Sequence, residues 1–494
     1  MNYFAINTLG CKVNQYESQQ IRELLEHLGL KDTQNTQKTA QLVIINTCCV
    51  TQTASSKSRQ KIRKAQRQNP DAVIFVAGCL PAIESNKLTK LDGNIHLLRN
   101  RESLATELLR LIKKNTAAQK LQNPQRPADT QISTSCEKNT SHSRESGNPV
   151  ASAKLSLPQH ISIRTKFTPK IKQKIKSSQI TELPEITNLP PITSFNGHTR
   201  AFLKVQDGCD AHCTYCIIPK TRPKVHSKPL EMAIAEAKSL VAAGYKEIVL
   251  TGVFLGAYGQ DTTRQNKWPD GENPKLAQML DKVAQVPGLK RIRLSSLEPS
   301  DVTEPLLEVF CKHHNIMPHL HLSLQSGCDA VLKRMARQYT TADFEKTIQL
   351  LRQALDRPAV TTDLIVGFPG ETDEQFQRTV DFAERIAFAK MHVFSFSARE
   401  GTAAAKMKDL LNPKVIKKRT QQLSRLDKKL QKQFRQQFIG ESAEILIEDC
   451  DQLVGRAERY FKVYVKNARE GAKPGDLLKV TLTYNADDGM VGGK

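Results

Sequence analysis

A chain of 494 residues is too long for one ordinary domain and points to about three. Its 39% hydrophobic share supports packed cores, and 73 Lys plus Arg against 50 Asp plus Glu give a formal charge of +23. That bias favours a polyanionic partner, with nucleic acid as the default and a merely basic surface as the plain alternative. The 11 cysteines suggest no small disulfide scaffold, no uncharged apolar run is long enough to span a membrane, and Met1-Asn-Tyr-Phe4 opens no leader. A reducing, cytoplasmic setting with cysteines used for metal is the expectation.

From residue 1 to 113, strand and helix alternate. Tyr3–Asn7, Gln41–Asn46 and Ala72–Ala77 read as strands, and Ile95–Leu98 as a short fourth. Gln15–Leu28 carries helical apolar spacing at Ile21, Leu24, Leu25 and Leu28, and stops at Gly29. Ala54–Gln68 reads as a polar, basic helix. This pattern predicts a small doubly wound α/β domain on a parallel sheet. Cys11, Cys48 and Cys79 follow three successive strands. In a parallel sheet those points converge on the crevice at the carboxyl ends, which would gather three thiolates into a metal site. The bland reading is three cysteines that happen to occupy loops. Cys48 is preferred to its neighbour Cys49, because adjacent side chains in extended backbone point opposite ways.

Residues 114–195 are rich in Gln, Asn, Ser, Thr, Pro and Lys, and read as a low-complexity basic linker. Lys170–Lys176 is a positive run, and no acid appears between Ala151 and Ile180. A solvated insertion is favoured over an RNA-tethering arm, with Cys136 as a free thiol.

Residues 196–435 alternate again. Ala201–Val205, Glu247–Leu250, Arg291–Leu294, His319–Ser323, Ala359–Ile365 and Lys390–Phe394 read as strands. Helices such as Glu231–Ala243 and Asp373–Ile386 separate them. Six such units predict an open or partial barrel, whose active residues collect at the carboxyl ends of the strands. Cys209, Cys213 and Cys216 lie on the loop after the first strand, at C-x3-C-x2-C spacing. Three thiolates can hold three corners of a cubic iron–sulfur cluster and leave the fourth iron open to a small molecule. A zinc knuckle with His212 as fourth ligand competes on spacing alone. The other strand ends carry Thr251-Gly252, Ser295-Ser296 with Glu298, Gln325, and Gly367 to Gly370. Glycines there permit close backbone approach, and the polar groups suit ribose, amine and carboxylate.

The helix expected over Pro413–Phe438 is dense in Lys and Arg, with Lys417, Arg425 and Lys428 as candidate phosphate contacts. Residues 436–494 read as a small all-β barrel from the runs Ala443–Glu448, Tyr460–Val465 and Leu477–Tyr484. Arg456, Arg459 and Tyr460 interleave basic and aromatic groups, as RNA-binding strands do.

Outside the linker, the chain resembles the radical S-adenosylmethionine methylthiotransferases. The match runs through Thr8–Ser18, Asn46–Cys48, Gly78-Cys79, Cys213–Pro219, Leu294–Pro299, His319–Gly327, Asp363–Glu371, Gly401–Ala404 and Gly455–Tyr460. The resemblance implies a cluster-bearing N-terminal domain, a partial (β/α)6 radical-SAM barrel and a C-terminal TRAM barrel that binds RNA. It implies one [4Fe-4S] cluster on Cys209, Cys213 and Cys216, whose open iron chelates S-adenosylmethionine. Cleavage of that molecule would release a 5′-deoxyadenosyl radical. It implies a second, auxiliary [4Fe-4S] cluster on Cys11, Cys48 and Cys79 that presents sulfur, and a further S-adenosylmethionine as methyl donor. Thr251, Gly252, Ser295, Ser296, Glu298, Gln325, Asp363 and Gly367 would surround the S-adenosylmethionine. The partners implied are tRNA, through its anticodon loop, and an electron donor such as flavodoxin or ferredoxin.

Leu9–Ser18 and Asn46–Thr51 look most like the enzymes acting on N6-threonylcarbamoyladenosine beside the anticodon. The isopentenyladenosine enzymes usually carry a Gln-Met version of the first motif, and those modifying a ribosomal protein usually carry Pro-Lys. The chain departs from the family pattern at Phe254, where Asn is usual, and at Pro223 and His226, where Gly and Arg are usual. Ser323 and Ser395 stand in place of prolines.

Overall fold

The computed structural model describes residues 1–122, 189–466 and 471–493, apart from 35, 37, 91–93, 267 and 269–272. The Lys170–Lys176 run and Cys136 lie outside the described residues.

Apolar β-branched runs build the first sheet. Its five strands run in the order Lys31–Asp32, Tyr3–Thr8, Leu42–Thr47, Val73–Gly78, Ile95–Leu97, and all pairs are parallel. Every residue of Leu42–Thr47 and Val73–Gly78 is buried, as strands covered on both faces require. One face packs on Ile21, Leu24, Leu25, Leu108 and Ile112. The other packs on Ile62, Ala65, Leu80 and Leu88. The helix Gln52–Gln68 starts where Thr51 accepts a hydrogen bond from the Ala54 backbone, two residues earlier than the expected start at Ala54.

The second body is a partial barrel of six parallel strands laid side by side in chain order. They are Ala201–Lys204, Glu247–Thr251, Arg291–Leu297, His319–Leu322, Ala359–Val366 and Lys390–Ser395. The third strand breaks at Ser295. Arg291–Leu294 pairs back to Glu247–Thr251, and Ser296-Leu297 pairs forward to His319–Leu322. Among the described residues no pairing joins the first strand to the last, so the barrel stays open on one side.

The third body is a closed five-stranded barrel of Ser442–Asp449, Val454–Arg456, Lys462–Lys466, Leu477–Asn485 and Met490–Gly493. It docks on Arg291 and Arg293. Arg291 donates to the Arg456 carbonyl at 3.1 Å, and Arg293 to those of Glu458 and Ala457 at 2.7 and 2.9 Å.

Two sequence expectations change. The helix Leu104–Gln122 runs beyond residue 113, and the last part of the expected linker is packed. Ile192 and Phe195 are buried at 0% and 2% exposure in the partial-barrel core. Two isolated apolar residues in a polar stretch carry no periodicity, so burial there leaves no pattern to read. Among the described residues no helix is long and apolar enough to cross a membrane.

Candidate active site

The loop bearing Cys209, Cys213 and Cys216 is held from both sides. The Cys209 N–H donates to the Arg222 carbonyl at 2.9 Å, and the Cys216 N–H to the Cys213 carbonyl at 3.0 Å. Thr214 is tied to Met335 and Ala404 by backbone bonds of 3.0 and 2.8 Å. Gln206 donates to the carbonyls of Asp207 and Gly208 and accepts from the Phe254 N–H, at 2.8–2.9 Å. Arg337 donates to Cys213 Sγ at 3.2 Å and pairs with Glu298 at 2.7 Å.

All three thiols are free. Burial pushes Cys209 and Cys216 up to about 12, so bare thiolates are unstable there. A bound metal supplies the positive charge they lack. Zinc requires neighbouring sulfurs roughly 4 Å apart, given Zn–S of about 2.3 Å in a tetrahedron. Among the described residues the one His/Cys/Asp/Glu set with ligand atoms within 4.8 Å of each other is His321, Asp363 and His392. His212 is exposed, and its backbone N–H bonds Gln265.

Cys11, Cys48 and Cys79 sit at the carboxyl ends of three adjacent parallel strands, where the sheet topology brings them to one rim. Gly10, at φ +113°, makes the approach possible. A Cβ there would lie 3.0 Å from Cys48 Cβ and 2.9 Å from Asn14 Nδ2. Asn14 donates to the carbonyls of Leu9 and Thr47, both at 2.9 Å, and so clamps the first loop to the second strand end. Asn46 donates to the Asn14 carbonyl at 2.9 Å and to Ser18. Burial raises Cys11 and pushes Cys48 up to about 11, the same signature as in the other loop. Cys49 faces the core, fully buried, with Sγ 3.4 Å from the Cys79 carbonyl.

The triads approach one another at Cys79 and Cys216, where Cys79 adds to the upward push on the Cys216 thiol. Beside Cys216 lies a cavity of about 220 Å³, lined also by Val50, Tyr215, Gln325, Asp363 and Phe394 among others. Arg222 fixes the register of the two bodies. It pairs with Glu17 at 2.9 Å and Asp207 at 2.6 Å, and donates to Asn14 Oδ1 at 3.2 Å. Tyr16 adds a second tie, donating to Glu236 at 2.7 Å and accepting from Lys228 at 2.8 Å.

The remaining expected residues separate. Gln325, at φ +70°, and Asp363 line the chamber beside Cys216. Ser295 and Ser296 line a second cavity of about 430 Å³ inside the partial barrel, which shares Asp363 and Phe394 with the first. Glu298 is engaged by Arg337. Thr251 is buried at a strand end, and Gly252 backs onto Gln206, 2.9 Å from where a Cβ would stand. Gly367 packs on Ile416, 2.5 Å from its missing Cβ, so its glycine serves helix packing.

Lys417, Arg425 and Lys428 are exposed along the helix Pro413–Gln436. Arg456, Arg459 and Tyr460 are half-buried where the C-terminal barrel meets the partial barrel. Arg459 bonds Asp356 at 2.9 Å, Arg456 bonds Glu448 at 3.2 Å, and Tyr460 lines the barrel cavity. Pro223 and His226 are exposed, and Phe254 joins a small cluster with Val225, Ala257 and Trp268. Sequence reading missed Asn14, Arg222 and Arg337. Asn14 lies inside the Thr8–Ser18 motif and Arg222 just past Cys213–Pro219, but the partners of all three are distant in sequence.

The Radical SAM superfamily matches residues 203–383, and uncharacterized protein family UPF0004 matches residues 3–99. The chain is 35% identical over 487 residues to the threonylcarbamoyladenosine tRNA methylthiotransferase MtaB of Bacillus subtilis (strain 168), covering 97% of this chain and 93% of that one. It is also 35% identical to the protein of the same name from Rickettsia prowazekii (strain Madrid E), covering 93% and 90%. The tRNA-2-methylthio-N(6)-dimethylallyladenosine synthase of Carboxydothermus hydrogenoformans is 31% identical, covering 98% and 96%. A [4Fe-4S] cluster and S-adenosylmethionine are the cofactors that go with the superfamily match. With matching family segments at both triads and relatives aligned over nearly its whole length, the chain belongs to the radical S-adenosylmethionine methylthiotransferase family.

Proposed function

We propose that the protein installs a methylthio group at C2 of N6-threonylcarbamoyladenosine beside the anticodon of tRNA. The observation that carries this reading is the approach of the N-terminal triad, through Cys79, to Cys216 of the barrel triad, with Arg222 bonded to both bodies. The relatives named for that nucleoside supply the substrate.

When bound, an open-iron cluster supplies the electron that cleaves S-adenosylmethionine, and an auxiliary cluster supplies the sulfur. Cys209, Cys213 and Cys216 hold the first, with Arg337 bonded to the Cys213 sulfur. Cys11, Cys48 and Cys79 hold the second, and Cys49 stays in the core. Gln325 and Asp363 orient polar groups at the chamber wall, while Val50, Ile217, Ile365 and Phe396 keep water out. Thr251, Gly252 and Gly367 shape the rim from behind. Lys417, Arg425 and Lys428 meet tRNA phosphates. In domain terms, residues 1–113 carry the auxiliary site and 114–195 link it to the radical core of 196–435. Residues 436–494 form the RNA-binding barrel. The electron comes from outside, from a flavodoxin or ferredoxin.

The test is nucleoside mass spectrometry of tRNA from cells lacking the gene. Loss of the methylthio form, with the unmethylthiolated nucleoside accumulating, is expected. An unchanged methylthio level, with no second such enzyme in the cell, rejects the reading. The 31% identity to a dimethylallyladenosine synthase makes that nucleoside the second reading, and the same spectra separate the two.

A further inference from the structure

The cavity inside the partial barrel is strongly basic. Lys12, Arg200, Arg293, Lys390 and Arg456 line it, against one lining acid, Asp363. Three of the cations are already matched. Arg200 and Arg456 pair with Glu448, at 2.8 and 3.2 Å, and Arg293 pairs with Glu247 at 2.8 Å. Lys12 and Lys390 differ. Among the described residues neither makes a side-chain hydrogen bond or ion pair, and both are only half exposed. Two further polar atoms are orphaned on the same wall. Ser295 Oγ and His319 Nδ1 are buried with no hydrogen-bond partner, in residues 8% and 7% exposed. Burial of such groups is costly unless something pairs with them.

His321, Asp363 and His392 lie close enough together to suggest a cation site. The flanking Lys12 and Lys390 argue against one, because two ammonium groups repel a metal ion. His321 already engages Asp363 at 3.3 Å. The unfilled need of this cavity is an anion with hydroxyl groups beside it.

Shape places that anion. The basic cavity and the chamber beside Cys216 share Asp363 and Phe394. Phe394 is 45% exposed on the last strand, at the open side of the barrel. A flipped adenine stacks on such a ring. C2 and N6 flank N1 on the Watson–Crick edge of adenine. With C2 turned toward Cys216, an N6 substituent points into the basic cavity.

We propose that Lys12 and Lys390 form a carboxylate clamp that selects a nucleoside with an acidic N6 substituent, with Ser295 and His319 placed to bond its polar groups. This deepens the proposed function and rests on it: a threonylcarbamoyl group carries one carboxylate and one hydroxyl. Lys12 directly follows Cys11, so the clamp ties recognition of the side chain to the sulfur-bearing loop.

The amino-acid end of S-adenosylmethionine is another carboxylate source, and the experiment separates the two. Full-length, cluster-loaded enzyme is titrated with anticodon stem-loop RNA carrying threonylcarbamoyladenosine, its side-chain methyl ester, or plain adenosine. Wild type is expected to prefer acid over ester by about 10-fold, roughly 1.4 kcal/mol. Lys12→Gln and Lys390→Gln should each reduce that preference to below about 2-fold, and Lys12→Arg should restore part of it. The KM for S-adenosylmethionine, measured in parallel, should move far less than the KM for the acid RNA. An acid preference that survives both Gln variants overturns the clamp. So does a shift that falls on S-adenosylmethionine instead. If wild type binds the acid RNA no better than plain adenosine, the substrate reading itself fails, and the clamp with it.

Discussion

The two cysteine triads reach similar chemistry by opposite routes. Cys209, Cys213 and Cys216 lie on one loop of eight residues, pinned by Gln206, Arg222 and Met335. Cys11, Cys48 and Cys79 span 69 positions (79 − 11 + 1) and meet because three parallel strands end side by side. The first site is local and largely set by the loop. The second exists only while the whole sheet is folded, so its integrity reports on tertiary structure. A cluster bound there, as proposed, would double as a fold constraint, since metal binding and folding share free energy.

Removing ligands should give the sharpest contrast. Cys213→Ala is expected to abolish 5′-deoxyadenosine formation and remove about half the iron. Cys48→Ala should also lose about half the iron, yet retain cleavage of S-adenosylmethionine while losing methylthiolation. Iron analysis with chromatography of the nucleoside product checks both. Equal loss of cleavage in the two variants would erase the distinction.

Arg222→Met comes next, because it takes the buried guanidinium from Glu17 and Asp207 and leaves them only Lys204 as a cation. A loss of roughly 3 kcal/mol is expected. In denaturant, the N-terminal body should separate from the barrel before either unfolds. A single unshifted transition would show that Arg222 does not couple them.

A smaller, more selective effect is expected from Asn14→Ala, which unties Leu9 from Thr47. About 1–3 kcal/mol should be lost. Iron should leave the N-terminal site first on mild chelation, with the Cys209–Cys216 site intact. Least of all, Cys49→Ala should cost about 1 kcal/mol through lost packing and leave iron content unchanged. Iron loss in that variant would exchange the roles of Cys48 and Cys49.

The same contrast governs what could be read from the sequence. The contiguous triad was visible as a spacing. The dispersed triad became visible once each cysteine was set at the end of an apolar strand, because periodicity and strand ends survive in one dimension. Pairings between distant residues do not. Nothing in the sequence ties Arg222 to Glu17 or Arg337 to Cys213, since each bond depends on packing between bodies. Gly367 shows the same limit: its place at a strand end is legible, but its packing against Ile416, 49 residues later (416 − 367), is not. The short strands Val454–Arg456 and Met490–Gly493 also escaped notice, being brief and rich in glycine, where strand propensity is weakest.

Tyr460 joins the C-terminal barrel to the interior of the partial barrel. Its hydroxyl accepts from Arg200 at 3.1 Å, its ring lies 5.0–5.2 Å from the guanidinium carbons of Arg200, Arg293 and Arg456, and His319 stands 4.6 Å away. The C-terminal module is therefore no interchangeable cassette. A chain cut after the basic helix would lose the floor of the cavity, and three guanidinium groups would lose their shared platform. A chimera with a foreign barrel would have to restore an aromatic residue at this position. The loop carrying Tyr460 thus makes the shape of the cavity depend on the presence of the C-terminal barrel.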